Sequence, residues 1–178
     1  MKIKKRLSSL LLLLCVLLML SSCSIQSVDD YYSSSSDRDS GIYATISIDC
    51  KTILDNYDML DESLKNEKYV PKDGIIVEET KYAIDENDTA FSILQKAVRD
   101  KKIHMEFQGA DKNSLGSVYV QGINHIYEFS CGELSGWLYS VNGEFGNVSA
   151  ADYKLKDGDS VKWQYSCDLG VDIGAEVE

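Results

Sequence analysis

The chain has 178 residues, with 29 Asp and Glu against 18 Lys and Arg, a formal charge of −11, and 44% hydrophobic residues. Such acidity repels phosphate backbones and speaks against nucleic acid as a partner. Four-tenths apolar content is enough for a globular core.

The first residues give an address. Met1-Lys-Ile-Lys-Lys-Arg6 is basic without an acid, and the apolar run from Leu10 to Leu20 is shorter than the roughly 20 residues a bilayer span needs. This is the layout of an export signal. Its end, Leu20-Ser21-Ser22-Cys23, resembles the bacterial lipobox. The resemblance implies cleavage before Cys23, lipid attachment at Cys23, and an anchor at the extracytoplasmic face of the bacterial cell membrane. Removing residues 1–22 takes four basic residues and no acidic one, leaving 14 against 29 and a formal charge of −15. The membrane is then met through the lipid alone.

Residues 23–41, with Ser33-Ser-Ser-Ser36, read as a flexible spacer. Residues 42–174 follow as one domain. Ile42, Ala44, Ile46 and Ile48 alternate with polar residues as in a first strand. Ile53, Tyr57, Leu60 and Leu64 then recur at helical spacing and predict an amphipathic helix of three or four turns. After the break at Pro71-Lys-Asp-Gly74, Ile75–Val77 and Tyr82–Ile84 read as a strand pair or one bent strand. Asn87-Asp88-Thr89 caps a second helix running to about Asp100, with Phe91, Leu94, Ala97 and Val98 as its apolar stripe. A strand over Ile103–Phe107, a loop over Gly109–Gly116, and strands over Val118–Ile123 and Ile126–Phe129 come next. Trp137, Tyr139 and Val141 lie on a strand that ends at the turn Asn142-Gly143. Asp157-Gly158-Asp159 is the tight turn before a last strand bearing Val161, Trp163, Tyr165 and Cys167. The acidic tail after Asp168 is expected to fray. Strand, helix, strand, helix and then five or so strands make an α+β fold, with two helices on one face of a mixed sheet.

Motifs for chemistry are sparse. No Gly-x-Ser-x-Gly elbow, His-Glu-x-x-His pair or phosphate-cradling glycine loop occurs, and no catalytic residue is assigned. His104 and His125 lack a partner at ligand spacing, and Cys-x-x-Cys is absent, so no metal site or cofactor is expected. Asp157, Asp159, Asp168 and Asp172 offer hard oxygen ligands for calcium but do not match an EF-hand loop, and turn chemistry accounts for the first two. With Cys23 lipidated, Cys50, Cys131 and Cys167 allow one disulfide and leave one thiol.

Ser135-Gly-Trp-Leu-Tyr-Ser-Val-Asn-Gly143, Tyr153-x-Leu-x-Asp-Gly-Asp159 and Trp163-x-Tyr-x-Cys-Asp-Leu-Gly170 together resemble the bacterial transcobalamin C-terminal-like domain. Thr52-Ile-Leu-Asp, Pro71-Lys-Asp-Gly and Asp88-Thr-Ala-Phe fit the same pattern, so the likeness covers roughly Ile42 to Gly174. It implies a β-grasp-like sheet, related to the domain of vitamin B12 carriers that closes over one face of a corrinoid while a helical barrel supplies the other. These 178 residues show no counterpart of that barrel. Ala150 stands where relatives often carry a further Cys. Because the β-grasp sheet runs its first and last strands in parallel, the resemblance places Cys50 beside Cys167 and favours that bridge, with Cys131–Cys167 as the alternative.

Trp137, Tyr139, Trp163 and Tyr165 form a candidate aromatic platform, and Ser135-Gly136 and Asn142–Gly146 are candidate loops at its ends. Trp137, Tyr139, Asn142 and Gly143 are the expected ligand-binding residues. The expected function is a non-catalytic binding module of a cell-surface lipoprotein contributing to corrinoid (cobalamin) capture. The alternative is a domain that contacts a surface protein, a glycan or the wall.

Overall fold

In the computed structural model, which describes residues 41–109 and 117–175, the first alternating stretch forms strand β1 (Tyr43–Asp49) with Ala44, Ile46 and Ile48 fully buried. The export signal, the lipid site at Cys23, the spacer up to residue 40 and most of the loop before Gly116 lie outside the described residues. β1 pairs in parallel with β8 (Ser160–Ser166) on one side and antiparallel with β2 (Ile75–Ala83) on the other. β8 pairs in turn with β6 (Gly136–Val141), which carries the short β7 (Glu144–Phe145) at the edge. The sheet order is β2-β1-β8-β6-β7, so the first and last long strands are central and parallel. A second, three-stranded sheet has β4 (Tyr119–Ile123) between β3 (Met105–Gln108) and β5 (Ile126–Tyr127). The mixed α+β fold expected from the alternation is what forms. The stretch from Ile75 is one continuous strand, and slips in its register with β1 after Ile46 and after Ile48 absorb the irregular spacing.

The first helix is much shorter than its periodicity predicts. Only α1 (Thr52–Asp55) is α-helical; single 3-10 turns at Tyr57–Met59 and Glu62–Leu64 follow. Asn56 closes α1 by donating from Nδ2 to the Thr52 carbonyl at 2.9 Å, and the Asp61 N–H turns away to the Ser130 carbonyl at 2.9 Å. Ile53, Leu60 and Leu64 still reach the core, so the apolar spacing serves three short turns instead of one cylinder.

The helix α2 (Ala90–Asp100) forms as expected and buries Ala90, Phe91, Ile93, Leu94, Ala97 and Val98. Thr89 is its N-cap. Its hydroxyl accepts from the Ser92 N–H at 3.1 Å while Ser92 Oγ accepts from the Thr89 N–H at 2.8 Å, a reciprocal box that satisfies two otherwise orphaned donors. Asp88 adds a second layer, accepting from Ser92 Oγ at 2.7 Å, from the Asp85 N–H at 2.9 Å and from Lys96 Nζ at 2.5 Å. Phe91 packs edge-on to Phe107 with ring centroids 4.9 Å apart, tying the helix to β3.

Candidate functional site

The expected aromatic platform is core. Trp137, Trp163 and Tyr165 are buried, and Trp137 Nε1 donates to the Ile126 carbonyl at 2.8 Å, which fastens β6 to the second sheet. Strand alternation explains this: β8 turns Val161, Trp163 and Tyr165 to one face, and helix and second sheet cover that face. Tyr139 is half-buried against Trp163 and Tyr153, its hydroxyl donating to the Val148 carbonyl at 2.7 Å. Asn142 and Gly143 have φ of +56° and +86°, as a type I′ hairpin requires. Asn142 Nδ2 donates to Asp159 at 2.8 Å and its Oδ1 accepts from the Ser160 N–H at 2.9 Å, so both ends of that amide hold the turn. Trp137, Tyr139, Asn142 and Gly143 are thus each engaged in building the sheet or its turn.

Nor do the four aspartates come together. Asp157 and Asp159 accept backbone N–H groups from Tyr43 and Lys156 at the turn before β8, whereas Asp168 and Asp172 lie beyond its other end. The two histidines do meet, although their spacing gave no sign of it. Their rings stack with centroids 4.3 Å apart, and Tyr69 meets His125 edge-on. Burial and the neighbouring His104 and Lys68 lower the His125 pKa.

An opening of about 390 Å³ lies at the opposite end of the sheet from Asn142, where β1 and β8 finish and β6 starts. Three distant segments line it: Asn56 and Met59 from the 3-10 region, residues 131–134 from the turn before β6, and Cys167, Asp168 and Asp172 from the chain after β8. Each segment is fixed by its own hydrogen bonds. The Cys131 N–H donates to Ser135 Oγ at 3.1 Å, and Ser135 Oγ donates to the Gly132 carbonyl at 2.7 Å. Below them the Tyr165 hydroxyl sits 2.8 Å from Ser135 Oγ and donates to the Tyr127 carbonyl at 2.7 Å.

The tail does not fray where it borders this opening. Asp172 accepts from the Ser166 hydroxyl at 2.5 Å and from the Cys167 N–H at 2.7 Å. Ser166 Oγ in turn accepts from the Asp168 and Gly170 N–H groups, closing a 3-10 turn over Val171–Ile173. The carboxylate at Asp172 thus ties the tail back to the end of β8, a role that its position three residues after Leu169 does not advertise.

Two bulky residues hydrogen-bonded to the turn before β6 hold left-handed backbone. Phe129 has φ of +66° and is 62% exposed; Leu169 has φ of +49° and is 56% exposed. Neither β-carbon favours that region, and each such residue stores on the order of 1–3 kcal/mol. The Phe129 N–H donates to the Ser135 carbonyl and the Leu169 N–H to the Leu134 carbonyl, both at 2.9 Å, which keeps these conformations in place. The rim also carries exposed Met59 and Leu134. Among the residues lining the opening the ionisable side chains are carboxylates and thiols, with no lysine or arginine.

Cys50, Cys131 and Cys167 are all free and buried, so the bridge favoured between Cys50 and Cys167 is not formed. Burial first, and then the facing Cys167, push the Cys131 thiol up to about 12; burial and Asp49 push Cys50 to about the same value. Cys167 is raised less decisively, because contacts with the Thr52 hydroxyl and the Cys131 thiol oppose the effect of burial.

With this geometry in hand, residues 87–167 match a domain of unknown function, DUF4430. That span begins at the cap of α2 and ends at Cys167, so it contains two of the three cysteines among the described residues and the whole tryptophan hairpin. No curated protein matches the chain. Among solved structures the chain is similar to haptocorrin in complex with Cbi, at 13% identity and a TM-score of 0.44 over 71% of this chain. It spans only 26% of that haptocorrin chain. It is also similar to a Ruminococcus gnavus protein described as a metal-binding candidate, at 11% identity and a TM-score of 0.40, over 70% of this chain and 96% of the other.

Proposed function

We propose that the chain is a non-catalytic binding module, held at the extracytoplasmic face of a bacterial membrane by lipid on Cys23. Its ligand seats at the opening between Met59, Leu134 and Cys167. The observation that carries this reading is the pair Phe129 and Leu169: exposed apolar side chains on strained backbone, hydrogen-bonded to Ser135 and to Leu134 of the opening's wall. Strain kept at a surface is a common mark of function. A preformed, partly apolar opening with a few polar groups is the usual form of a small-ligand site.

A corrinoid is the ligand class to test first, on the strength of the sequence resemblance. The chain from residue 23 on, with Cys23→Ser, is titrated with cobalamin and cobinamide by calorimetry and visible absorbance. Saturable binding is expected, weakened at least tenfold by Met59→Ser with Leu134→Ser. Silence across the series removes corrinoids, and binding untouched by the double substitution moves the site elsewhere. The same exposed side chains favour a second reading, in which Phe129, Leu169 and Val171 dock a surface protein or a wall glycan. There, Phe129→Ser with Leu169→Ser would abolish retention on the partner while leaving corrinoid titrations unchanged.

A further inference from the structure

The register of the central sheet decides which cysteines can meet. β1 pairs with β8 through Asp49 opposite Gln164, so Cys50 falls opposite Tyr165 and Cys167 lies two residues further along. That offset is about 6.6 Å along the strand and about 4.8 Å across, or roughly 8 Å between α-carbons. A disulfide needs the α-carbons within about 7 Å. Cys131 approaches from the other side. Gly136 pairs with Ser166, so Ser135 follows opposite Cys167, and the Ser135 hydroxyl holds the Cys131 N–H at 3.1 Å.

The thiols themselves converge. Cys131 Sγ lies 3.4 Å from the Asn56 carbonyl and Cys167 Sγ lies 3.5 Å from Thr52 Oγ1, and Asn56 and Thr52 are joined by their own hydrogen bond. Each thiol shifts the titration of the other, and both residues line the same opening. Cys50 does not line it.

We propose that Cys131 and Cys167 are a redox-active pair that closes to a disulfide in the wall of the opening, with Cys50 remaining a buried thiol. The oxidant is a small-molecule or protein disulfide. Cys167, 8% exposed where the other two are fully buried, is the thiol the oxidant reaches, and it attacks once it has lost its proton. Its sulfur bonds to one sulfur of the oxidant, and the other leaves as a thiolate. Cys131 then loses its proton and attacks Cys167 Sγ, expelling the second thiolate. The two protons given up by the cysteines end on the two released thiols, so one disulfide is reduced as one is formed. The new bond joins the turn before β6 to the end of β8 and fixes two of the three walls relative to each other.

The test maps the pairing directly. The chain from residue 23 on, with Cys23→Ser, is equilibrated with oxidised glutathione, alkylated, digested without reductant and analysed by mass spectrometry. The expected result is a linked peptide pair carrying Cys131 and Cys167, with Cys50 alkylated only after unfolding. The oxidised form should also melt of the order of 10 °C above the reduced one, from the loop-closure entropy of the ring. Cys50→Ala should oxidise at the wild-type rate, whereas Cys131→Ser should form no internal bridge. A linked pair containing Cys50, or three free thiols after equilibration, would overturn the proposal.

Discussion

Replacing Tyr165 by Phe removes one oxygen from the centre of the domain and leaves the ring in place against Trp137, 5.3 Å between centroids. The lost hydroxyl donates to the Tyr127 carbonyl at 2.7 Å and lies 2.8 Å from the buried Ser135 Oγ. Ser135 keeps its contacts to Gly132 and Cys131, and the Tyr127 carbonyl keeps the Ser130 N–H at 3.2 Å, so the cost is that of one lost hydrogen bond. A buried hydrogen bond whose partners stay satisfied is worth about 0.5–1.5 kcal/mol net, and the upper end of that range is the expected loss. Tyr139→Phe is the control. It deletes the same atom, but the bond it breaks, to the Val148 carbonyl at 2.7 Å, is exposed and water can replace the donor. Its cost should stay below about 1 kcal/mol. In urea, with a slope near 2 kcal/mol/M, Tyr165→Phe should lower the midpoint by about 0.7 M and Tyr139→Phe by less than about 0.5 M. The slope itself should not change. Equal shifts for the two variants, or a larger one at Tyr139, would refute the claim that burial of the Tyr165–Ser135 cluster sets its worth.

Asp88 should make the fold acid-sensitive. Burial alone would raise its pKa, but hydrogen bonds from Lys96, Ser92 and the Asp85 backbone outweigh this and lower it below 3.8. The stability it contributes is therefore full above about pH 3.8 and is lost as the pH falls through the lower folded value. Asp88→Asn should be less stable than wild type at pH 7, and the gap in urea midpoint should close by pH 2. His125 adds a smaller term: with its folded pKa below 6.5, the unfolded chain takes up the proton first, so stability declines as the pH drops through 6.5. His125→Gln should flatten the midpoint-against-pH curve there. Thr89→Ala removes half of the capping box and should cost about 1 kcal/mol in thermal or urea unfolding. Gly74→Ala should cost more, since its φ is +69° and a β-carbon there would sit 2.7 Å from the Lys51 α-carbon.

What the sequence made legible was what neighbours in the chain decide. The Thr89 cap, the α2 stripe, the Asn142-Gly143 turn and the alternation of β1, β6 and β8 depend on contacts a few residues apart, and each forms where its pattern points. The helix expected from Ile53 to Leu64 failed because a distant carbonyl, Ser130, takes the Asp61 N–H. The cavity was illegible for the same reason. Asn56, Cys131 and Asp172 are brought together by strand order, and nothing in their own surroundings marks them. The aromatic residues drew attention as a platform because alternation tells that one face differs from the other, without telling which face the second sheet covers.

The place of β8 between β1 and β6 governs when this domain can acquire its shape. A chain emerging from a ribosome or drawn through a pore can pair β1 with β2 at once, yet the middle of its main sheet stays vacant until almost the last residues arrive. Any fragment stopped before Ser160 presents β1 and β6 with bare inner edges, each a template for stray pairing with another chain. Secure biogenesis of this protein therefore depends on keeping β1 and β6 apart from other chains until the final strand slots between them.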